Sequence, residues 1–186
     1  MGLPPLAFPP RNQRPSLTAA EVGFRQAGDG DAAFLRDLYR SLRIDELRVL
    51  PWSAHDKHAF LDQQASLQHR HYLTAFPDAA FLVVEQADAP IGRLYFDATG
   101  DPWRLLDIAL LPEVRNRGIG ASILRALQAH ARAAGARGIV LHVEHGNIDA
   151  RRLYHRLSFR ETDSGPTHRR MEWSCVAAPA DEPPEA

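Results

Sequence analysis

The chain has 186 residues, 45% of them hydrophobic and 24% charged, which suits one globular core with tails. A formal net charge of −1 and an isoelectric point near 6.8 give no overall field for nucleic acid or an anionic membrane surface, and no apolar run reaches membrane-span length. The single cysteine, Cys175, cannot close an internal disulfide, which fits a reducing cytoplasm.

Met1 to Pro10 lacks the charged-then-apolar order of a signal peptide, and its prolines disfavour helix and central strand. Residues 1–20 are therefore expected to form a flexible leader, 21–176 one domain, and 177–186 a flexible tail rich in proline and acid. Phe24-Arg25-Gln26 reads as a short strand. Asp29-Gly30-Asp31 can cap a helix with an apolar stripe at Phe34, Leu35, Leu38, Tyr39 and Leu42. A loop from Leu47 to Trp52 holds Pro51. Ser53-x-x-Asp56 then opens a helix to about Leu73, as a capping box with aspartate in the glutamate position. Phe81–Val84 and Ile91–Phe96 read as strands joined by a turn around Ala87–Pro90. Thr99–Pro102 marks another turn before the apolar strand Leu105–Leu111. Ile119, Ile123, Leu124 and Leu127 give the next helix, ended by Gly135. A strand at Ile139–Val143, a helix at Ala150–Leu157 and strands near Phe159–Thr162 and His168–Trp173 complete a mixed α/β domain.

The most informative segment is Arg115-Asn116-Arg117-Gly118-Ile119-Gly120, set between a strand and a helix. Glycines let backbone N–H groups approach an anion, a helix N-terminus offers unpaired donors, and arginines add charge for a pyrophosphate. The third glycine of a dinucleotide fingerprint is missing, as is the Gly-Lys-Ser/Thr of a nucleotide-triphosphate loop. Arg-x-x-Gly-x-Gly after a strand resembles the acetyl-CoA motif of the GNAT N-acetyltransferases. A second block, His142-Val143-Glu144-His145-Gly146-Asn147 followed by Ala150, Leu153-Tyr154 and Leu157-Ser158-Phe159, resembles that family's strand–Asn–helix unit. Ser158 stands where the family has a glycine that eases the turn off the helix. The resemblance covers roughly residues 22–175 and implies the GNAT fold: a twisted, mostly antiparallel sheet of six to seven strands with splayed central strands and four flanking helices.

The resemblance assigns roles. It implies acetyl-CoA as cosubstrate, with the pantetheine arm against the backbone near Ile108 and Leu110, where an N–H can polarise the acetyl carbonyl. The pyrophosphate would rest on Arg117, Gly118, Ile119, Gly120 and Ala121, with Arg115 at its rim. Asn147 would contact the pantetheine, and Tyr154 would protonate the departing thiolate. The amine must also lose a proton. His142, which alternates with Leu141 and Val143, is the first candidate base, Asp107 on the neighbouring strand the second, and Glu144 the fallback. For the acceptor pocket the resemblance points to Glu46, Arg48, Trp52, His69, Tyr72, Tyr95 and Asp97. Arg93, Tyr95 and Asp97 alternate onto one strand face. Glu46 and Asp97 could hold a cationic amine, Arg48 and Arg93 a carboxylate, so charge selects neither.

Nine histidines include pairs at His55/His58, His69/His71 and His142/His145, but none has the further ligands of a zinc set, and no metal is expected. The reading is an acetyl-CoA-dependent N-acetyltransferase acting on a primary amine of a small molecule or peptide. The rival is a non-catalytic acyl-CoA sensor of the same fold, and a homodimer remains open.

Overall fold

Hydrophobic periodicity in the middle of the chain divides cleanly into strands and helices in the computed structural model, which describes Phe8, residues 17–19 and residues 21–175. The strands are β1 (Gly23–Gln26), β2 (Ala80–Gln86), β3 (Ala89–Asp97), β4 (Trp103–Leu110), β5 (Gly138–Glu144), β6 (Arg160–Ser164) and β7 (His168–Ser174). The α-helices are α1 (Ala32–Arg43), α2 (Ala54–Ala75), α3 (Ile119–Ala133) and α4 (Ile148–Arg156). The strands form one sheet in the order β1-β2-β3-β4-β5-β7-β6, antiparallel throughout except for the parallel β4–β5 pair.

Each sheet face has its own core. Leu82, Leu94, Phe96, Leu105, Ile139, Leu141 and Met171 meet Ile123, Leu124 and Leu127 of α3 and Tyr154 of α4. On the other face Phe81, Val83 and Tyr95 meet Phe34 of α1 and Tyr72 and Leu73 of α2. The strand alternation of two and the helical period of 3.6 place those residues on one side of each element. Arg40 of α1 donates twice to the Asp62 carboxylate of α2, both at 2.6 Å, and so ties the two helices together.

The helix starts differ from the expected caps in detail. Asp29–Asp31 form a 3₁₀ turn leading into α1, and the Asp31 carboxylate accepts the Gly28 N–H (2.8 Å) and the Arg25 guanidinium. At α2, Ser53 Oγ accepts the Asp56 N–H (3.1 Å). The Asp56 carboxylate then binds that same hydroxyl, so one half of the box forms. Aspartate is one methylene too short to reach back as glutamate does. Within the stretch read as a leader, Phe8 packs its ring 4.5 Å from His69 and donates its N–H to Asp29, Leu17 is buried, and Ala19 bridges to Val22. The tail from 177 onward lies outside the described residues.

Ser158, the departure from the family glycine, adopts φ +65°, the left-handed region where a Cβ is strained. The turn is held there because the Phe159 N–H must reach the Tyr154 carbonyl (3.0 Å) for the chain to enter β6. Ser158→Gly is predicted to raise stability by about 1 kcal/mol, read as a higher Tm. An unchanged or lower Tm would mean that the corner carries no strain.

Candidate active site

The central opening arises where two strands stop pairing. β4 and β5 match at Trp103–Ile139, Arg104–Val140 and Leu105–Leu141, after which both strands continue without a shared register. Between them lies a cleft of about 570 Å³. The Leu111 N–H donates to Ile91, so that peptide faces β3, and alternation turns the backbone groups of Ile108 and Leu110 toward the opening. The Leu110 carbonyl is taken by Arg115 Nε at 2.9 Å. Arg115 therefore acts as a brace on β4, a role the sequence did not suggest.

The turn from β4 into α3 leaves backbone donors open at the helix start. Asn116 and Gly118 both have positive φ (59° and 82°), and Gly118 is the residue at which α3 starts. The first helical bond here runs from the Ser122 N–H to the Gly118 carbonyl, leaving the N–H groups of Ile119, Gly120 and Ala121 without helical acceptors. Arg117 is exposed beside them. A Cβ at Gly120 would meet Leu153 Cδ2 at 3.5 Å and Leu110 Cδ1 at 3.9 Å, ordinary contacts. An alanine side chain is thus accommodated at 120, while the backbone conformation needs glycine at 118.

Tyr154 and His142 reach the cleft from different layers. Tyr154 belongs to the α3/α4 core, 5.7 Å from the Phe159 ring, and burial followed by the Asp107 charge raises its phenol pKa. His142 alternates with the core residues Leu141 and Val143, so it faces the α1/α2 layer. His142 is exposed at the cleft, and partial desolvation, then the charges of Arg170, Arg104 and His168, hold its pKa below the ordinary histidine value. Both residues line the cleft, as does Asn147. Asn147 also caps α4, its side chain accepting the Ala150 N–H at 3.2 Å.

Asp107, the second candidate base, is committed elsewhere. Its Oδ2 accepts Arg93 Nη2 at 2.7 Å and lies 3.4 Å from the Tyr72 hydroxyl. Arg93 also donates to Gln68 (3.0 Å) and lies 5.3 Å over the Tyr95 ring. Glu144 is held by both terminal nitrogens of Arg43 (2.6 and 3.3 Å), which also binds Glu46 at 2.7 Å. Arg43 and Gln68 line the cleft but were not singled out from the sequence: an arginine at the end of an amphipathic helix and a lone glutamine carry no signal of their own.

Of the acceptor candidates, Glu46 and Tyr72 line the cleft. Tyr95 shares a strand face with Arg93, as alternation predicts, but lies 2% exposed beneath Tyr72 and Phe81. Asp97 accepts the Thr99 N–H and hydroxyl in the turn after β3. Trp52 packs edge-on against Phe60 in a separate shallow groove with Asp56 and Gln63. Arg48 is exposed beside Asp45, and His69 is buried against Phe8 and Phe81. Among the described residues no group of three or more His, Cys, Asp or Glu is arranged to hold a metal ion.

Residues 36–159 match the acetyltransferase (GNAT) family. The chain belongs to that family. As a GNAT protein it is an acyltransferase of class EC 2.3.1 that uses acetyl-CoA. It is 27% identical over 164 residues to the uncharacterized N-acetyltransferase YhfO of Bacillus subtilis (strain 168), covering 86% of this chain and 99% of that protein. Its fold is similar to that of the PaiA N-acetyltransferase from Thermoplasma acidophilum, solved in complex with coenzyme A. That match has a TM-score of 0.62 and 18% identity, and covers 82% of this chain and 98% of that one. The putative acetyltransferase YncA from Salmonella typhimurium, solved with its cofactor acetyl-CoA, superposes with a TM-score of 0.54 at 19% identity, covering 87% and 98%.

The two glycines should separate on substitution. Gly118→Ala, forced to keep a positive φ, is predicted to weaken acetyl-CoA binding up to about tenfold, whereas Gly120→Ala leaves it near wild type. Calorimetric titration checks both, and equal losses at the two positions would contradict the assignment.

Proposed function

We propose that this GNAT protein transfers the acetyl group of acetyl-CoA directly to a primary amine of a small molecule or peptide. The observation that carries this reading is the single cleft in which an unpaired stretch of β4, Tyr154 and His142 come together, with Arg115 of the turn that leads into α3 on its lining. These features fit the cosubstrate on the structure's own terms. The gap-facing backbone of Ile108 and the Leu110 N–H can pair with an amide-bearing arm. The N–H groups of Ile119, Gly120 and Ala121, with Gly118 setting the turn and Arg117 beside it, offer a cradle for pyrophosphate. Asn147 lines the cleft.

Acetyl-CoA supplies an acetyl group activated as a thioester. The chain's own residues do the rest. The Ile108 N–H is the candidate donor to the carbonyl oxygen, where negative charge develops. His142 accepts the proton that the amine must lose as the C–N bond forms. Tyr154, kept protonated by its raised pKa, donates to the sulfur as the C–S bond breaks. The two protonic groups enter from opposite sides of the sheet, so the amine and the leaving sulfur each have their own partner. Asp107 is the weaker base candidate, because a proton there would strip buried Arg93 of its counter-charge. On the acceptor side, Glu46 and Tyr72 line the cleft wall. Trp52, Tyr95 and Asp97 are not part of that wall.

Release of CoA thiol from acetyl-CoA against polyamines, amino acids, aminoglycosides and peptides tests the reaction, with product mass showing one added acetyl group. Tight acetyl-CoA binding with silence across the panel would favour the sensor. A second expectation concerns pH. Because the His142 pKa is lowered, its neutral, proton-accepting form persists below the ordinary value of about 6.5. With a weakly basic amine that stays neutral across the range, kcat should fall only below that pH. His142→Gln should remove this limb and lower kcat about 100-fold. An unchanged limb in the variant would move the base role away from His142.

A further inference from the structure

The separation of β4 from β5 needs a cause, because two parallel strands with free backbone groups gain hydrogen bonds by continuing to pair. The cause lies on the opposite side of β4. There the β3–β4 register shifts: Tyr95 faces Asp107 while Phe96 faces Leu105, leaving Leu106 as the extra residue of a bulge. Leu106 and Asp107 immediately follow the last β4–β5 pair, Leu105–Leu141. The Tyr72 hydroxyl, carried by α2, lies 3.3 Å from the Leu106 carbonyl and 3.4 Å from Asp107 Oδ2. Arg93, carried by β3 and 6% exposed, donates to the same Asp107 oxygen at 2.7 Å and to Gln68 of α2 at 3.0 Å. Farther along, Arg115 holds the gap-facing carbonyl of Leu110. The stretch from 106 to 110 is thus gripped at both ends, with the peptide of Ile108 between the grips.

We propose that Arg93 and Tyr72 form a clamp that holds β4 off β5 and so keeps the pantetheine slot open. They are positioning residues: they act through Leu106 and Asp107 on the backbone of Ile108. This rests on the acetyl-CoA reading above for the identity of the slot's occupant, but the clamp itself is a statement about the free protein. It also gives Asp107 a purpose other than proton transfer. An ionic pair buried at a bulge fixes one direction of the strand, since any sliding of β4 would separate Arg93 from its partner.

The test compares wild type with Tyr72→Phe, Arg93→Lys and the double variant Arg93→Met/Asp107→Leu, which removes both charges together. Two readouts are taken on each full-length protein: amide exchange at Ile108 without ligand, and calorimetric affinity for acetyl-CoA. In wild type the Ile108 amide should exchange readily. In the double variant β4 zips onto β5, so exchange at Ile108 slows and acetyl-CoA affinity falls, each by about tenfold or more. Arg93→Lys should keep much of the wild-type behaviour, and Tyr72→Phe should move both readouts part of the way. A general loosening of the fold would speed exchange at Ile108, the opposite sign. A folded double variant with Ile108 exchange and affinity both unchanged would overturn the clamp. If the ion-pair variants fail to fold, an unshifted Tyr72→Phe would do so. Wild type that fails to bind acetyl-CoA would instead sink the functional reading, while the Ile108 comparison would still decide the clamp.

Discussion

Everything in this molecule follows from one constraint, that backbone polar groups inside a sheet must find partners. β4 and β5 pair for three residues and then part, so the outward half of β4 presents groups that the sheet itself does not satisfy. Some of that demand is met internally, by Arg115 on the Leu110 carbonyl and Tyr72 near the Leu106 carbonyl. What remains, centred on Ile108, is a strand edge in the middle of a sheet, and under the proposed function it would pair with an extended polar chain as another strand would. The adjoining helix α3 repeats the device at its N-terminus, where unpaired N–H groups converge beside Arg117.

Charge in the cleft is largely spent on the protein's own architecture. Arg93 and Asp107 neutralise each other beneath Tyr72, and Arg43 spans Glu46 and Glu144 at the junction of α1 and β5. The groups to which the proposed function gives the chemistry are those with shifted proton affinities and no ionic partner of their own among the described residues. His142, although exposed, is held below its usual range by partial desolvation and nearby cations. Tyr154 is raised by burial and the Asp107 carboxylate. The two shifts act in opposite directions, one favouring a neutral imidazole and the other a protonated phenol, the pair that the proposed aminolysis would use.

The sequence made the order of elements legible because local signals carry it: apolar alternation, Ser53, Gly118, Gly135 and the two motif blocks are each readable within a few residues. The acceptor wall was much less so. Alternation along β3 put Arg93 and Tyr95 on one face, yet it could not show that α2 roofs that face and buries Tyr95 under Tyr72. Asp97 is the last residue of β3, and its carboxylate is drawn into the following turn by Thr99. Trp52 follows a proline and turns away from the cleft to pack on Phe60. The bulge at Leu106 was invisible, because one extra residue in a strand leaves no mark in composition. Arg43–Glu144 and Arg93–Asp107 join elements far apart in the chain, and only tertiary packing brings them together. Ser158 is the instructive departure: its glycine-like backbone persists with a side chain attached, which shows that the corner is dictated by α4 and β6.

The most direct measurement is residue-resolved amide exchange in the presence and absence of saturating acetyl-CoA. If the parted strands and the start of α3 hold the cosubstrate, protection should rise at Ile108 and Leu110 and at Ile119, Gly120 and Ala121, with little change along β1 and β2. Binding that protects other segments while leaving these amides unaltered would contradict the account.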